Sequence, residues 1–209
     1  MFRRDRPIDA AARMLFLRIV EQARLPTFYR QGGVPDTLDG RFEMVSLHLF
    51  LVLRRLRLEE TRRQDAEALA QRLFDTAFAN MDENLREMGV GDLSVGAKVK
   101  RMAQAFYGRV AAYDQGLAAD GPTLADALRR NLYGTVTPAP AAVAALADYL
   151  RREGDALAGQ GFDGLAAGRL AFGPAPEPEI PVVSERAVSE RVVSEREGSV
   201  AAASRQEWT

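Results

Sequence analysis

The sequence predicts an all-α protein: a single helical bundle-like domain of about six to seven helices over residues 1–172, followed by a disordered C-terminal tail over residues 173–209. Three observations carry this. Apolar residues recur at steps of three and four along most of the chain, and no run alternates as a strand would. Glycine and proline fall between these periodic stretches, where helices stop and start. From Pro174 the composition changes to "PAPEPEIP", an extended linker, and then to "VVSER AVSER VVSER". A period of five turns the repeated residue about 140° round a helix at each step, so no apolar side accumulates. Such a segment cannot bury enough surface to fold.

A first helix is expected over Ile8–Arg24, with Ile8, Ala12, Leu15, Ile19 and Ala23 on one side and Pro26 beyond its end. "PTFYRQGGVPDTLDG" reads as a loop because of its Gly-Gly, Val-Pro-Asp and Asp-Gly turn signals. A second helix is expected from Arg41 to Leu58, with Asp39 as its cap. The third, Arg62–Met88, carries Phe74, Phe78, Met81 and Leu85 in register and stops at Gly89. Ser94 is expected to cap a fourth, whose stripe of Val95, Val99, Met102, Phe106, Val110 and Tyr113 is core packing. Thr123 and Asp126 are spaced as a capping box for a short helix, and Thr137 with Pro138 suits the start of another. The glycine-rich stretch after Gly154 supports only a short docked segment.

The second helix is the most informative. Stepped at 100° per residue, Val52, Val45, Leu56, Leu49, Phe42 and Leu53 fill one arc, and Leu47, Leu51 and Met44 fill another. Two apolar arcs imply packing on two sides, so this helix belongs at the centre of the domain. His48, the chain's one histidine, falls in a seam with Arg41 and Arg55. Two neighbouring arginines would disfavour its protonated form. A hydrogen-bonded structural histidine is the expected outcome, with an anion bridging the seam as the alternative.

Composition narrows the chemistry. The chain has no cysteine, which removes disulfides, thiolate nucleophiles and cysteine-held zinc. One histidine excludes a multi-histidine metal site and leaves a serine triad a single base. Asp36 and Asp39, and Asp75 and Asp82, are spaced for shared work, but the carboxylate-bridged metal helices also need histidines. Catalytic residues, metal and cofactor are therefore all expected to be absent. The longest apolar run, Met44–Leu53, is half of what a membrane span needs. The N-terminus lacks the uniform apolar core of a signal peptide, so a cytoplasmic location is expected. Thirteen arginines against eight acids in Met1–Arg63 suit an anionic partner, and this supplies one alternative function: a peripheral membrane adaptor on anionic lipid. A small-ligand domain using the His48 seam is another.

"VPDTLDGRFEMVSLHLFLVLRRL", followed by "LFDTAFANMDENLREMGVGDLSVGAKVKRMAQAFYGRVAAYD", resembles the ubiquinol–cytochrome c chaperone family, assembly factors for the cytochrome b subunit of the respiratory bc1 complex. The resemblance runs from about Leu15 to Tyr149. It rests on "DGRFE", "LFDTAF", "MDENLREMGVGD" and "FYGR" occurring in order. It implies an all-helical, non-enzymatic protein without a cofactor whose client is newly made apocytochrome b. A ribosome or an accessory assembly factor is a further implied partner, and DNA is not. The lack of an organelle-type presequence suggests a bacterial member, working in the cytoplasm or peripherally at the inner face of the plasma membrane. A chaperone for such a client needs an apolar groove with a polar rim. Client-binding candidates are Arg41, Lys98, Arg101 and Arg109 for the rim, Phe28, Tyr29 and Tyr107 for apolar or aromatic contact, and His48 in its seam. Asp36, Asp39, Asp75, Asp82 and Arg86 are expected to brace the structure, with Arg41 pairing to Asp75 or Asp82 as the alternative to binding.

Overall fold

The computed structural model describes residues 7–119 and 121–176. The repeat tail expected beyond residue 176 lies outside the described residues. The described part is all helix and turn. Six helices have nine or more residues: α1 (Pro7–Ala23), α3 (Leu38–Arg57), α4 (Arg63–Glu87), α5 (Asp92–Ala118), α6 (Thr123–Asn131) and α7 (Pro140–Ala158). Two are single turns of five residues, α2 (Pro26–Arg30) and α8 (Phe162–Ala166). None of these helices is long and apolar enough to cross a membrane.

α3 packs against α1, α4 and α7, and the sequence of contacts α3–α4–α5–α6–α7 returns to α3 and closes a ring. α1 lies across α3 and α4. Both apolar arcs of α3 are used: Met44, Leu47 and Leu51 are buried on one side, and Leu49, Val52 and Leu56 on the other. Burial goes further than the two arcs, because Glu43, Ser46, His48 and Phe50 between them are buried too. Ion pairs also bridge the helices at their edges. Arg54 donates to Asp114 of α5 at 3.2 Å and Arg57 to the same carboxylate at 2.5 Å, while Arg72 of α4 meets Asp9 of α1 at 3.1 Å.

The helix starts differ from the expected ones by one to three residues. Thr37, not Asp39, caps α3: its hydroxyl accepts from the Gly40 amide at 3.1 Å, and Asp39 sits exposed in the first turn, still favourable to the helix dipole. α5 begins at Asp92, so Ser94 is already inside it and turns its hydroxyl back to the Gly91 carbonyl. At α7 the proline in the first turn is Pro140, with Ala139 rather than Thr137 before it. Thr123 is the first residue of α6 rather than its cap, and Asp126 pairs with Arg129 at 2.8 Å. Gly89 does end α4: at φ 81° its amide bonds to Arg86 and the next amide, Val90, bonds to Leu85, satisfying two otherwise free carbonyls. The segment "PTFYR" was expected as loop, but Pro26 in a first turn nucleates α2, which buries Phe28. Gly173 and Pro174, expected to open the linker, are tied down instead. The Gly173 amide donates to Glu153 at 2.8 Å, its carbonyl accepts from Gln22 at 2.8 Å, and the Pro174 carbonyl accepts from Arg152.

The turn before α3 is shaped by one close approach. The chain at Pro35 folds back over the first turn of α3, so that a β-carbon on Gly40 would lie 1.9 Å from the Pro35 carbonyl oxygen. Only glycine admits that path, and the path delivers Asp36, Asp39 and Arg41 to one edge of the domain. Gly40→Ala is expected to cost about 2 kcal/mol or more, because backbone rather than a flexible side chain must move; urea unfolding of the two proteins measures it.

Candidate functional site

A groove of about 700 Å³ opens between the second half of α1, the first turns of α3, the last turns of α4 and the first two thirds of α5, with residues 131–135 closing one end. Its apolar lining comes from stripes that begin inside the core. Phe16, Met81, Leu85 and Leu132 are buried in it, Val20, Phe42, Val45 and Met102 are partly buried, and Leu38 and Met88 stand about half exposed at its lip. Three of the chain's six methionines line it. Methionine is unbranched and polarizable, so it fits itself to irregular apolar partners better than a branched side chain does.

The rim is charged, and its cations are of two kinds. Arg109 of α5 is joined through two guanidinium nitrogens to the carboxylate of Glu43, which the fold has carried into the interior, and its guanidinium also lies 5.9 Å from the Phe42 ring centroid. Burial pushes the Glu43 carboxyl above its ordinary value, outweighing the lowering by Arg109. Arg41 pairs at 2.6 Å with Asp36 rather than with Asp75 or Asp82; this hydrogen bond holds the Asp36 carboxyl below its usual range. Lys98 and Arg101 are different. Both are exposed on the α5 wall, and neither has a hydrogen bond or ion pair with any described residue.

The structure thus brings Arg41, Lys98, Arg101 and Arg109 to one groove. The remaining candidates lie elsewhere. Phe28 and His48 are fully buried and so offer no surface to a client. The two rings meet edge-on at 5.4 Å, and each also packs beside Tyr149. Tyr29 is half-buried and donates to the Ala23 carbonyl at 2.7 Å; burial raises its pKa. Tyr107 is exposed away from the groove and stacks on Phe74 at 5.7 Å. Asp75 accepts from Gln71 at 2.7 Å and Asp82 from Arg86 at 2.6 Å, so both are used within α4.

The expected Arg41–His48–Arg55 seam is not formed. Arg55 pairs with Glu59 and donates to the Gln160 carbonyl. The His48 ring is instead a link in a buried chain of hydrogen bonds. Gln22 donates to the Tyr149 oxygen at 3.0 Å, Tyr149 donates to Nε2 at 2.8 Å, and Nδ1 donates to the Met44 carbonyl at 2.8 Å. This assignment uses each donor and acceptor once and fixes the neutral Nδ1–H tautomer. Phe172 packs edge-on against the same ring at 5.2 Å. With both nitrogens engaged by protein atoms, the premise of a ligand held at His48 is removed. Burial, not the arginines, lowers its pKa from 6.5 to about 4.

Two consequences are measurable. Between pH 6.5 and about 4 the unfolded chain takes up a proton at His48 that the fold refuses. The stability held by the neutral ring is complete above pH 6.5 and is lost as pH falls towards 4, by roughly 3 kcal/mol in total. Urea unfolding across that range is expected to show this loss in the parent protein and not in His48→Gln. Separately, Arg109→Ala strands a buried carboxylate and is expected to cost about 2 kcal/mol, below the full cost of breaking a buried pair because the guanidinium keeps some solvent. Glu43→Gln combined with Arg109→Ala is expected to cost less than the two changes added, read as a coupling energy in a double-mutant cycle.

Comparison with known proteins covers both the groove and its supporting helices. The model of the ubiquinol-cytochrome C chaperone family matches residues 30–172. The ubiquinol-cytochrome-c reductase complex assembly factor 1 of Xenopus laevis is 25% identical over 173 residues, covering 81% of this chain and 84% of that protein. The Mus musculus protein of the same description is also 25% identical and covers 81% of this chain, which spans only 57% of that longer relative. The crystal structure of the Cbp3 homolog from Brucella abortus superimposes with a TM-score of 0.71 at 39% identity, covering 81% of this chain and 92% of that one. Apart from α1, every boundary of the groove, from Pro35 to Thr135, lies inside the matched range. The chain belongs to the ubiquinol-cytochrome C chaperone family.

Proposed function

We propose that this protein is an assembly chaperone for the ubiquinol–cytochrome c reductase (bc1) complex and that it binds newly made apocytochrome b by laying an apolar segment of the client in the groove. The observation that carries the reading is the groove itself. Its lining is continuous with the core, yet Leu38 and Met88 remain half exposed at its lip, and an apolar surface left open beside polar neighbours is what a partner covers. The relatives named as assembly factors for the reductase complex supply the class of client.

The work proposed is reversible binding rather than catalysis. A membrane protein that has not yet settled in lipid exposes helices which would otherwise associate wrongly. A groove lined by adaptable methionines shields such a segment without demanding one sequence. The place of action is the face of the membrane into which the client inserts, and a ribosome or accessory factor would meet another surface. The exposed Tyr107–Phe74 stack is one such surface on the other side of α5.

A photo-crosslinking residue at Met88, on the groove lip, is expected to capture cytochrome b in cells that are making the bc1 complex. The same residue at Glu67, roughly 30 Å away along α4, is expected not to. Recovery of lipid alone, or of soluble proteins alone, at Met88 would sink the proposal.

A further inference from the structure

The groove is apolar, but its charges are not balanced wall by wall. On α5 the groove-facing residues are Lys98, Arg101, Met102, Ala105 and Arg109, so every charge on that wall is positive. Arg109 is already neutralised by Glu43, and across the groove Arg41 is neutralised by Asp36. What is left on α5 is the pair Lys98 and Arg101, one helical turn apart and without a partner among the described residues. The groove also holds Arg24, just past the end of α1, and two further carboxylates, Asp39 and Glu87. Asp39 stands in the first turn of α3, where the positive end of the helix dipole offsets it. The uncompensated charge on the α5 wall is therefore positive, directly beside the apolar contacts of Met102 and Ala105.

From this charge pattern, and resting on the reading of the groove as a client site, we infer that the occupant is an apolar segment bordered at one end by acidic side chains. The apolar residues of the segment cover Met81, Leu85 and Met102, and its carboxylates reach Lys98 and Arg101. From Lys98 to Arg109 the α5 wall is about 17 Å long, which suits about three turns of an incoming helix. An end rich in lysine or arginine is repelled from that wall, so the groove distinguishes the two ends of a membrane segment by charge as well as by apolarity. Neither cation is needed to hold the fold, because each lies in solvent and contacts nothing that charge reversal would strand.

The test uses three labelled synthetic peptides with one leucine–alanine core and two glutamates, two glutamines or two lysines at the same end, titrated against the full chain by fluorescence anisotropy. At low salt the glutamate peptide is expected to bind roughly fivefold more tightly than the glutamine peptide, the scale of two exposed ion pairs, and the lysine peptide more weakly than either. The differences are expected to shrink as salt rises. The double variant K98E/R101E, with an unchanged thermal melting curve, is expected to reverse the order. Equal affinity for all three peptides, or an order that survives the charge reversal, overturns the inference while leaving the apolar groove intact. If none of the three binds, the groove reading falls, and this inference with it.

Discussion

A helix buried on most of its circumference has no solvent in which to place its polar side chains, and α3 carries two titratable ones, Glu43 and His48, into the interior. The fold is organised around that problem. Glu43 is met by Arg109 from α5, and His48 is met by Tyr149 from α7 and by the carbonyl one turn back at Met44. Each solution calls on a different neighbouring helix, so satisfying α3 also fixes where α5 and α7 must lie. Leaving either group alone in the interior would cost more than the bond itself contributes. The apolar arcs supply most of the stabilisation, while the polar pairs select one arrangement from those that the arcs would allow.

The groove follows from the same arrangement. Arg109 reaches inward to Glu43 near the open end of α3, and the first half of α5 then continues past the last turns of α4 and leaves apolar side chains of both helices facing open space. The close return of Pro35 over Gly40 sets the opposite wall. The groove is thus a product of helix placement rather than of a special loop, and its lining is made of residues that also serve the core.

Much of this was legible in the sequence, for reasons that differ by residue. The two apolar arcs of α3 told of a central helix because a 3.6-residue period leaves little freedom in which faces are covered. Gly89 told of the end of α4 because few residues take its backbone angle. Caps were less readable: Thr37, Asp39 and Gly40 all suit the start of α3, and only the path of the preceding turn decides for Thr37. The partner of Arg41 was hidden for the same reason, since Asp36 is five residues away and reaches it only when the turn folds back. For His48 the sequence offers both a structural role and a client contact, and its burial favours the first; the sequence points to neighbouring arginines as what disfavours its protonated form, whereas burial is the cause. The charges of Arg41, Lys98, Arg101 and Arg109 stood out in the sequence. The groove lining did not, because Phe16, Met81, Leu85 and Leu132 belong to stripes that look like ordinary core. Phe28 and Tyr107 show the converse: an aromatic residue near a motif can end up sealed inside or facing the other way, and no local pattern distinguishes the two.

The link from Gln22 to Tyr149 and Gly173 also bears on the order of events in time. The first helix is fastened to the last described segment across 151 residues, and Phe172 completes the packing about His48. Contacts so distant along the chain close late, because the whole intervening loop must first be ordered. At about 5–20 residues per second, roughly 8 to 30 s of synthesis separates the emergence of Gln22 from that of Gly173. Until Gly173 has been made, the parts of α1 and α3 that the last described segment covers have nothing to close them. A member of a chaperone family is thus, during its own manufacture, a chain with unfinished apolar surface.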